Sequence, residues 1–399
     1  MSTDTFLRSM PEAKPVKLLY ILNVANRLNN FSYSSMMAAM NLGFDFHIAG
    51  NWGYATRLER EEDEKRWGVK IHQIDFFRNP LHSDNFRAIG QLDHLLKSER
   101  FDIIHCNTPI GGLTGRVLGK KHRISQIIYQ VHGFHFFQGA ALSHWLLYYP
   151  VEKFLARWTD TMICINKEDY ELAKRKMRLR NNGPIVYLPG IGIQTECLAN
   201  ASADRSAIRR ELGIPLEAFL LFSVGELNQN KNHMVVIEAI ADLPKVHYMI
   251  AGKGPLEHEL YEKAVSLGIE DRLHLLGFRN DIPALNKVAD AFCLPSLREG
   301  LSVSLMEAMA AGLPVACSDI RGNRDLLAHD ADRFLIPPQD VCGFAAAIRY
   351  LSTSPAARTE AGKANIAAIK EYDMQRVIDM LQAIYQQVAD KLSEGAVMG

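Results

Sequence analysis

Cysteine is scarce in this 399-residue chain, and the six present lie far apart: Cys106, Cys164, Cys197, Cys293, Cys317 and Cys342 form no Cys-x-x-Cys pair and have no clustered histidine partners. That excludes a disulfide scaffold or a zinc ribbon and reads as reduced thiols in a cytosolic protein. No stretch of about 20 residues is free of polar interruption. The most apolar one, Phe134 to Val151, carries His135, Gln138, Ser143, His144 and Pro150, so no membrane-spanning helix is expected. The segment Met1 to Lys17 has Asp4, Arg8, Pro11, Glu12 and Pro15 where a secretory signal would have an apolar core, and is expected to be a frayed leader. Net charge is absent as well, 45 basic residues balancing 45 acidic ones, which argues against a generally basic nucleic-acid binder. A hydrophobic content of 48% excludes disorder, and the length suits two or three domains with proper cores.

The balanced charge is unevenly placed. Residues 1–195 hold 25 Lys and Arg against 18 Asp and Glu, and residues 196–399 hold the remaining 20 against 27, so the halves stand at about +7 and −7. A bipolar molecule of this kind can rest its basic half on an anionic surface, although charge alone leaves an incidental asymmetry equally open.

Short apolar runs alternate with helical stretches, the pattern of parallel βαβ units. Strands are expected at Lys17–Asn23, Phe44–Ala49, Val69–Ile74, Phe101–Cys106, Gln126–His132, Thr161–Ile165 and Ile185–Leu188, with helices at Tyr54–Trp67, Asn85–Ser98 and Trp145–Trp158. A second series places strands at Phe219–Val224, His247–Ala251, Leu273–Leu276, Ala291–Leu294, Pro314–Ala316 and Phe334–Ile336, with helices at Asn232–Ala241, Glu257–Leu267, Ser302–Ala311 and Gly343–Tyr350. The reading is α/β: two Rossmann-like doubly wound domains, residues 1–195 and 196–373, joined near Gly192–Ala203 and facing a cleft. Residues 374–399 form a terminal helix, whose apolar positions Val377, Ile378, Leu381, Ile384 and Val388 recur at spacings of three and four.

The most informative stretch runs from Pro295 to Val315. A strand ends at Pro295, a loop carries Glu299 and Gly300, and Ser302 is placed to cap an Ala- and Met-rich helix bearing Glu307. A carboxylate in so apolar a helix is costly without a polar partner, and the helix start offers free N–H groups to an anion. Glu299, seven residues and Glu307, followed by Ala-Met-Ala-Ala-Gly-Leu-Pro-Val, resembles the hallmark of the retaining glycosyltransferases of family four, which have the two-domain GT-B fold. The resemblance covers residues 17–390. It implies that Glu299 contacts donor-sugar hydroxyls and Glu307 the ribose, with Gly300, Leu301 and Ser302 lining the donor site.

In Ser223-Val-Gly225-Glu226-Leu-Asn-Gln-Asn-Lys231 the same resemblance assigns Lys231 to the donor diphosphate, but the family's usual Arg after the glycine is here Glu226. A carboxylate does not bind phosphate, so either Glu226 points away or the clamp comes from elsewhere. The Gly-Glu-Leu pattern is similar to a capsule and exopolysaccharide branch of the family. Gly252 and Gly254, after another strand, permit close approach to a ligand. The loop Gly277-Phe278-Arg279-Asn280-Asp281-Ile282 resembles the one that surrounds the base, with Phe278, Arg279 and Ile282 beside it. In the first domain Val131-His132-Gly133 resembles the family's functional His-Gly, giving His132 a catalytic place in which it donates to a sugar hydroxyl or to charge developing near the anomeric carbon. The structural alternative leaves His132 and His135 inside an aromatic cluster, evenly balanced for His135 and the lesser reading for His132, and leaves Lys231 as a surface lysine at a helix start.

These residues together imply a retaining transfer of a hexosyl or N-acetylhexosaminyl unit from a UDP-sugar to a glycan acceptor, lipid-linked or oligosaccharide, in surface polysaccharide biosynthesis. Neither cofactor nor metal is expected, since no Asp-x-Asp is placed to hold Mg²⁺ on a diphosphate, and no nucleic acid is expected as partner. Aromatics between Phe136 and Val151 lie beside basic runs at Arg116–Arg123 and Lys174–Arg180, which suits peripheral contact with the inner face of an anionic membrane. Two alternatives stand: a catalytically inactive nucleotide-sugar-binding partner of an assembly complex, which Glu226 favours, and a GT-B sugar-nucleotide epimerase.

Overall fold

The computed structural model describes residues 14–25, 27–28, 30–77, 82–327 and 331–397. Most of the expected leader therefore lies outside the described residues. The first sheet contains β1 (Lys17–Val24), β2 (Asp45–Asn51), β3 (Lys70–Gln73), β4 (Ile103–Asn107), β5 (Gln126–Val131), β6 (Thr161–Cys164) and β7 (Ile185–Tyr187). All neighbours run parallel in the order β3-β2-β1-β4-β5-β6-β7. The second holds β8 (Phe219–Val224), β9 (Val246–Ala251), β10 (Leu273–Leu275), β11 (Ala291–Leu294), β12 (Val315–Ser318) and β13 (Leu335–Ile336), parallel in the order β10-β9-β8-β11-β12-β13. Strands such as Ile103-Ile-His-Cys-Asn107 are buried throughout, because helices cover both faces of a parallel sheet. This is the two-Rossmann GT-B arrangement, with the strand order reversing between β1 and β4 and again between β8 and β11. Ligands of such sheets bind outside the carboxyl ends of the strands at these reversals.

The chain crosses between the two sheets twice, side by side. Ile193 N–H donates to Tyr372 O at 3.0 Å, and Met374 N–H donates to Ile193 O at 2.8 Å. Gly192 (φ +82°) lies so close to the returning chain that a methyl group there would stand 2.9 Å from Met374 Cα. The terminal helix, Met374–Val397, then packs back on the first sheet, burying Val377, Leu381, Tyr385 and Val388 among Leu18, Tyr20, Met36 and Phe46.

Among the helices that the sequence reading did not place is Pro109–Lys121, which carries Gly111, Gly112, Gly115 and Gly119. Glycine disfavours a helix interior, but this helix lies almost on the sheet. A Cβ at Gly112 would be 2.4 Å from the Tyr129 ring, at Gly115 2.7 Å from Cys106 Cβ, and at Gly119 2.8 Å from Ile127 Cδ1. Packing overrides propensity here.

Candidate functional site

Each site residue expected from the sequence falls at or just beyond the carboxyl end of a strand: His132 after β5, Gly225 and Lys231 after β8, Gly252 and Gly254 after β9, Phe278 to Ile282 after β10, and Glu299 to Glu307 after β11. The loop after β11 meets the loop after β5 at two glycines. A methyl at Gly300 would lie 1.8 Å from the His132 carbonyl oxygen, and one at Gly133 (φ +133°) 3.2 Å from Gly300 Cα. The domains are in backbone contact here. A cavity of about 190 Å³ opens beside the contact, lined by His132, His135, Asn230, Arg298, Glu299 and Arg321 among others.

Ser302 caps the helix Val303–Ala310, its Oγ accepting from Leu305 N–H at 3.4 Å. On that helix Glu307 is half-buried, and its carboxylate has no hydrogen-bond or ion-pair partner among the described residues. Burial pushes its carboxyl up to about 7. Glu299 is held differently: its Oε1 accepts from Lys231 Nζ at 2.7 Å. The Lys231 stem passes over Gly225, where a Cβ would come within 2.9 Å of Lys231 Cε. Asn230 joins the two loops, its Nδ2 donating to Arg298 O at 3.0 Å while its carbonyl accepts from Leu297 N–H at 2.8 Å. Glu226 is exposed.

His132 stacks on Phe31 with centroids 4.5 Å apart, and its Nε2 stands 3.0 Å from Asn107 Oδ1. Asn107 Nδ2 donates to Ile21 O at 3.3 Å, which turns its Oδ1 toward the imidazole. The Nε2 therefore carries the proton, and Nδ1 keeps a lone pair. Burial lowers the imidazole to about 4, so the ring is neutral near pH 7. With Nε2–H engaged by Asn107, the open position on the ring is the Nδ1 acceptor, where a donor was expected.

Other expected site residues have structural ties of their own. Gly252 and Gly254 are needed for chain packing, because a Cβ at Gly252 would be 1.8 Å from Gly225 O and one at Gly254 2.4 Å from Leu227 O. The Arg279 guanidinium is taken up by Asp281 through bonds of 2.8 and 2.6 Å, whereas Phe278 is exposed and Ile282 opens the next helix half-buried. Arg116, counted among surface cations, is buried, pairs with Glu152 at 2.8 Å and lies 3.8 Å over the Tyr129 ring. Lys121 and His122 both pair with Asp93.

Arg321, just past β12, is the functional residue that sequence reasoning passed over. It is buried and spans the interface: Nη1 donates to Asp169 at 2.8 Å, Nη2 to Phe134 O at 2.6 Å, and Nε to Glu299 O at 3.2 Å. Its signal in the sequence is Arg-Gly-Asn at a strand's carboxyl end, matching Asn166-Lys-Glu-Asp169 at the end of β6.

Residues 204–367 match the family model for glycosyl transferases group 1, and residues 33–190 that for the glycosyl transferase 4-like domain. The EpsD protein of Bacillus subtilis (strain 168), named as a glycosyltransferase, is 32% identical over 94% of this chain and 97% of its own length. An Escherichia coli protein named as a UDP-Gal:alpha-D-GlcNAc-diphosphoundecaprenol alpha-1,3-galactosyltransferase is 29% identical over 77% of this chain and 81% of its own. The Anabaena Alr3699/HepE structure in complex with UDP-glucose superposes with a TM-score of 0.73 at 18% identity, covering 95% of this chain and 99% of that one. The chain belongs to the group 1 glycosyltransferases, with a 4-like first domain and the GT-B fold.

Proposed function

We propose that the protein is a retaining, metal-independent glycosyltransferase that moves a hexosyl or N-acetylhexosaminyl unit from a UDP-sugar to a polyprenyl-diphosphate-linked glycan in polysaccharide biosynthesis. Glu307 carries the reading: a half-buried carboxylate without a partner among the described residues, on the helix that follows the loop after β11, suits paired hydroxyl donors such as a ribose diol. The Lys231 ammonium faces the diphosphate, Glu299 takes the sugar hydroxyls, and His132 Nδ1 accepts from a sugar or acceptor hydroxyl. The departing phosphate oxygen takes the acceptor proton on the same face of the sugar. The name of the E. coli relative, which specifies a UDP donor and a diphosphoundecaprenol acceptor, supports both substrate classes. UDP release that requires lipid-linked acceptor tests the reaction; donor turnover without acceptor would instead mark an epimerase, and no turnover a binding partner.

Glu307→Gln is expected to weaken binding of UDP-galactose or UDP-glucose by roughly 10- to 150-fold, the equivalent of a charge-assisted hydrogen bond of about 1.5–3 kcal/mol. Ribose hydroxyls favour the ionised carboxylate, so wild-type affinity should rise between pH 6 and 8 with proton release, and the variant should lose that dependence. Calorimetry in two buffers of different ionisation enthalpy reads both. An unchanged affinity in Glu307→Gln would remove the ribose role.

The proposed membrane contact is supported by one surface of the first domain. The ring-bearing side chains Phe136, Trp145 and Tyr149 pack against one another in tilted and edge-to-face contacts on the inner side of the helix Leu142–Ala156. It is aliphatic residues on this helix that face outward, Leu142, Leu146 and Leu147 at 72%, 70% and 62% exposure, with Val151 and Phe154 continuing the face. Beside its carboxyl end a cavity of about 500 Å³ gathers Lys153, Arg157, Lys174, Arg175, Lys176 and Arg178, none within ion-pair distance of a carboxylate among the described residues. Each such cation near an anionic bilayer is worth on the order of 1 kcal/mol. Co-sedimentation with phosphatidylglycerol vesicles at low salt is expected, at least about ten-fold weaker for Lys174→Glu/Lys176→Glu. Equal partitioning to neutral vesicles, or none to either kind, would leave the charge asymmetry without this role.

A further inference from the structure

Far from the cleft, toward the amino ends of β1 and β2, lies a second group of chemistry-bearing side chains. His47 on β2 is fully buried and its Nδ1 stands 2.9 Å from His72 Nε2 on β3. Glu99, just past the helix Asp84–Ser98, brings Oε2 to 3.8 Å from the same His47 nitrogen. One donor atom from each of the three residues lies within 4.8 Å of the other two. On the far side of the ring, His47 Nε2 faces Asp45 Oδ1 at 3.2 Å. Asp45 places a carboxylate beside that nitrogen, the kind of neighbour that orients metal-bound histidines, although the two make no hydrogen bond in this structure.

We propose that His47 Nδ1, His72 Nε2 and a Glu99 carboxylate oxygen bind a divalent transition-metal ion of the zinc class. Two histidines and a carboxylate are a donor set for that class, and tetrahedral coordination at roughly 2.0–2.2 Å separates its donors by about 3.3 Å. The observed 2.9 and 3.8 Å lie within about half an ångström of that value, and the third separation, His72 to Glu99, is within 4.8 Å. The ion takes the place of the proton between the two imidazoles, and His72 then carries its proton on Nδ1. Lys17 is the competitor: its ammonium pairs with Glu99 and lies 5.1 Å over the Phe101 ring. It must swing outward when the ion enters.

The second domain holds an internal contrast. His247 on β9 and His274 on β10 repeat the contact at 3.0 Å, with rings stacked 5.3 Å apart. Among the described residues no third donor joins them within the same reach. Two adjacent histidines on outer strands are thus accommodated by sharing a proton; the first pair has in addition a facing carboxylate and a carboxylate behind the ring. Bound metal would tie β2, β3 and the chain entering β4 together, at the end of the sheet opposite His132.

The test uses the full chain without a histidine tag, zinc supplied through a competing chelator, and the variants His72→Ala, Glu99→Gln and Lys17→Met. One zinc per wild-type chain is expected, with affinity at least ten-fold lower in His72→Ala and reduced in Glu99→Gln. In Lys17→Met it should be tighter, since a neighbouring cation is gone. Far-UV circular dichroism checks that the variants fold, and Lys17→Met, which gains affinity, cannot be mistaken for unfolding. Wild-type zinc affinity in His72→Ala, or no gain in Lys17→Met, overturns the assignment.

Discussion

Gly300→Ala is expected to lower glycosyl transfer by at least about 100-fold while both domains remain folded and UDP affinity stays near wild type. The added methyl would meet the His132 carbonyl oxygen at 1.8 Å and its carbon at 2.8 Å. Both obstacles are backbone of the opposite domain, so no rotamer change relieves them, and the loop after β11 must withdraw from the loop after β5. Displacing reacting groups by about 1 Å already costs on the order of 10²-fold in rate. In the proposed reading, donor binding depends chiefly on Glu307 and Lys231, which belong to the second domain and keep their places within it. Single-turnover transfer and UDP calorimetry on the same preparation separate the two effects. Near-wild-type turnover would mean that the closed contact is not the working geometry.

Much of this molecule is legible in its sequence, for physical reasons that differ along the chain. The alternating apolar runs specify two parallel sheets because strands buried on both faces leave continuous Val, Ile and Leu stretches. The helix bearing Glu307 announces itself by its Ser302 cap, and the terminal helix by its three-and-four spacing. The Gly-rich helix Pro109–Lys121 does not, since its glycines answer to Tyr129, Cys106 and Ile127, which pack against it from the sheet. The site divides in the same way. Glu299, Glu307 and Lys231 stand in a local pattern and are found there. The proton position on His132 depends on Asn107, 25 residues away, and Arg321 acquires its meaning from Asp169, 152 residues away. No window of sequence contains such pairs. The charge of Arg116 misleads for the same reason, because its partner Glu152 arrives from another helix.

Arg321→Ala should be the most destabilising substitution at the domain interface. The Asp169 carboxylate is fully buried and Arg321 is its cation, with Asn166 Nδ2 at 2.8 Å and the Phe134 N–H at 3.2 Å as its remaining partners. Burial pushes Asp169 above its ordinary value and Arg321 below its own, against the charged form of each. The pair therefore contributes little net stability as a unit. Removing one member is another matter, because an orphaned buried charge costs about 3–5 kcal/mol. Since a carboxyl raised by burial is penalised above its folded pKa and relieved below it, Arg321→Ala should be weakest near pH 8 and recover as the pH falls toward 5. Asp169→Asn in the Arg321→Ala background removes the orphaned charge and should restore part of the loss, flattening the pH dependence. Transfer should remain low in both variants, because Arg321 also holds the Glu299 carbonyl and the Phe134 carbonyl across the interface. Thermal unfolding at several pH values decides the point, and losing the tie should split the melt into two transitions as the domains uncouple. A double variant no more stable than Arg321→Ala, or a single variant insensitive to pH, would show that the buried charge is not what Arg321 compensates.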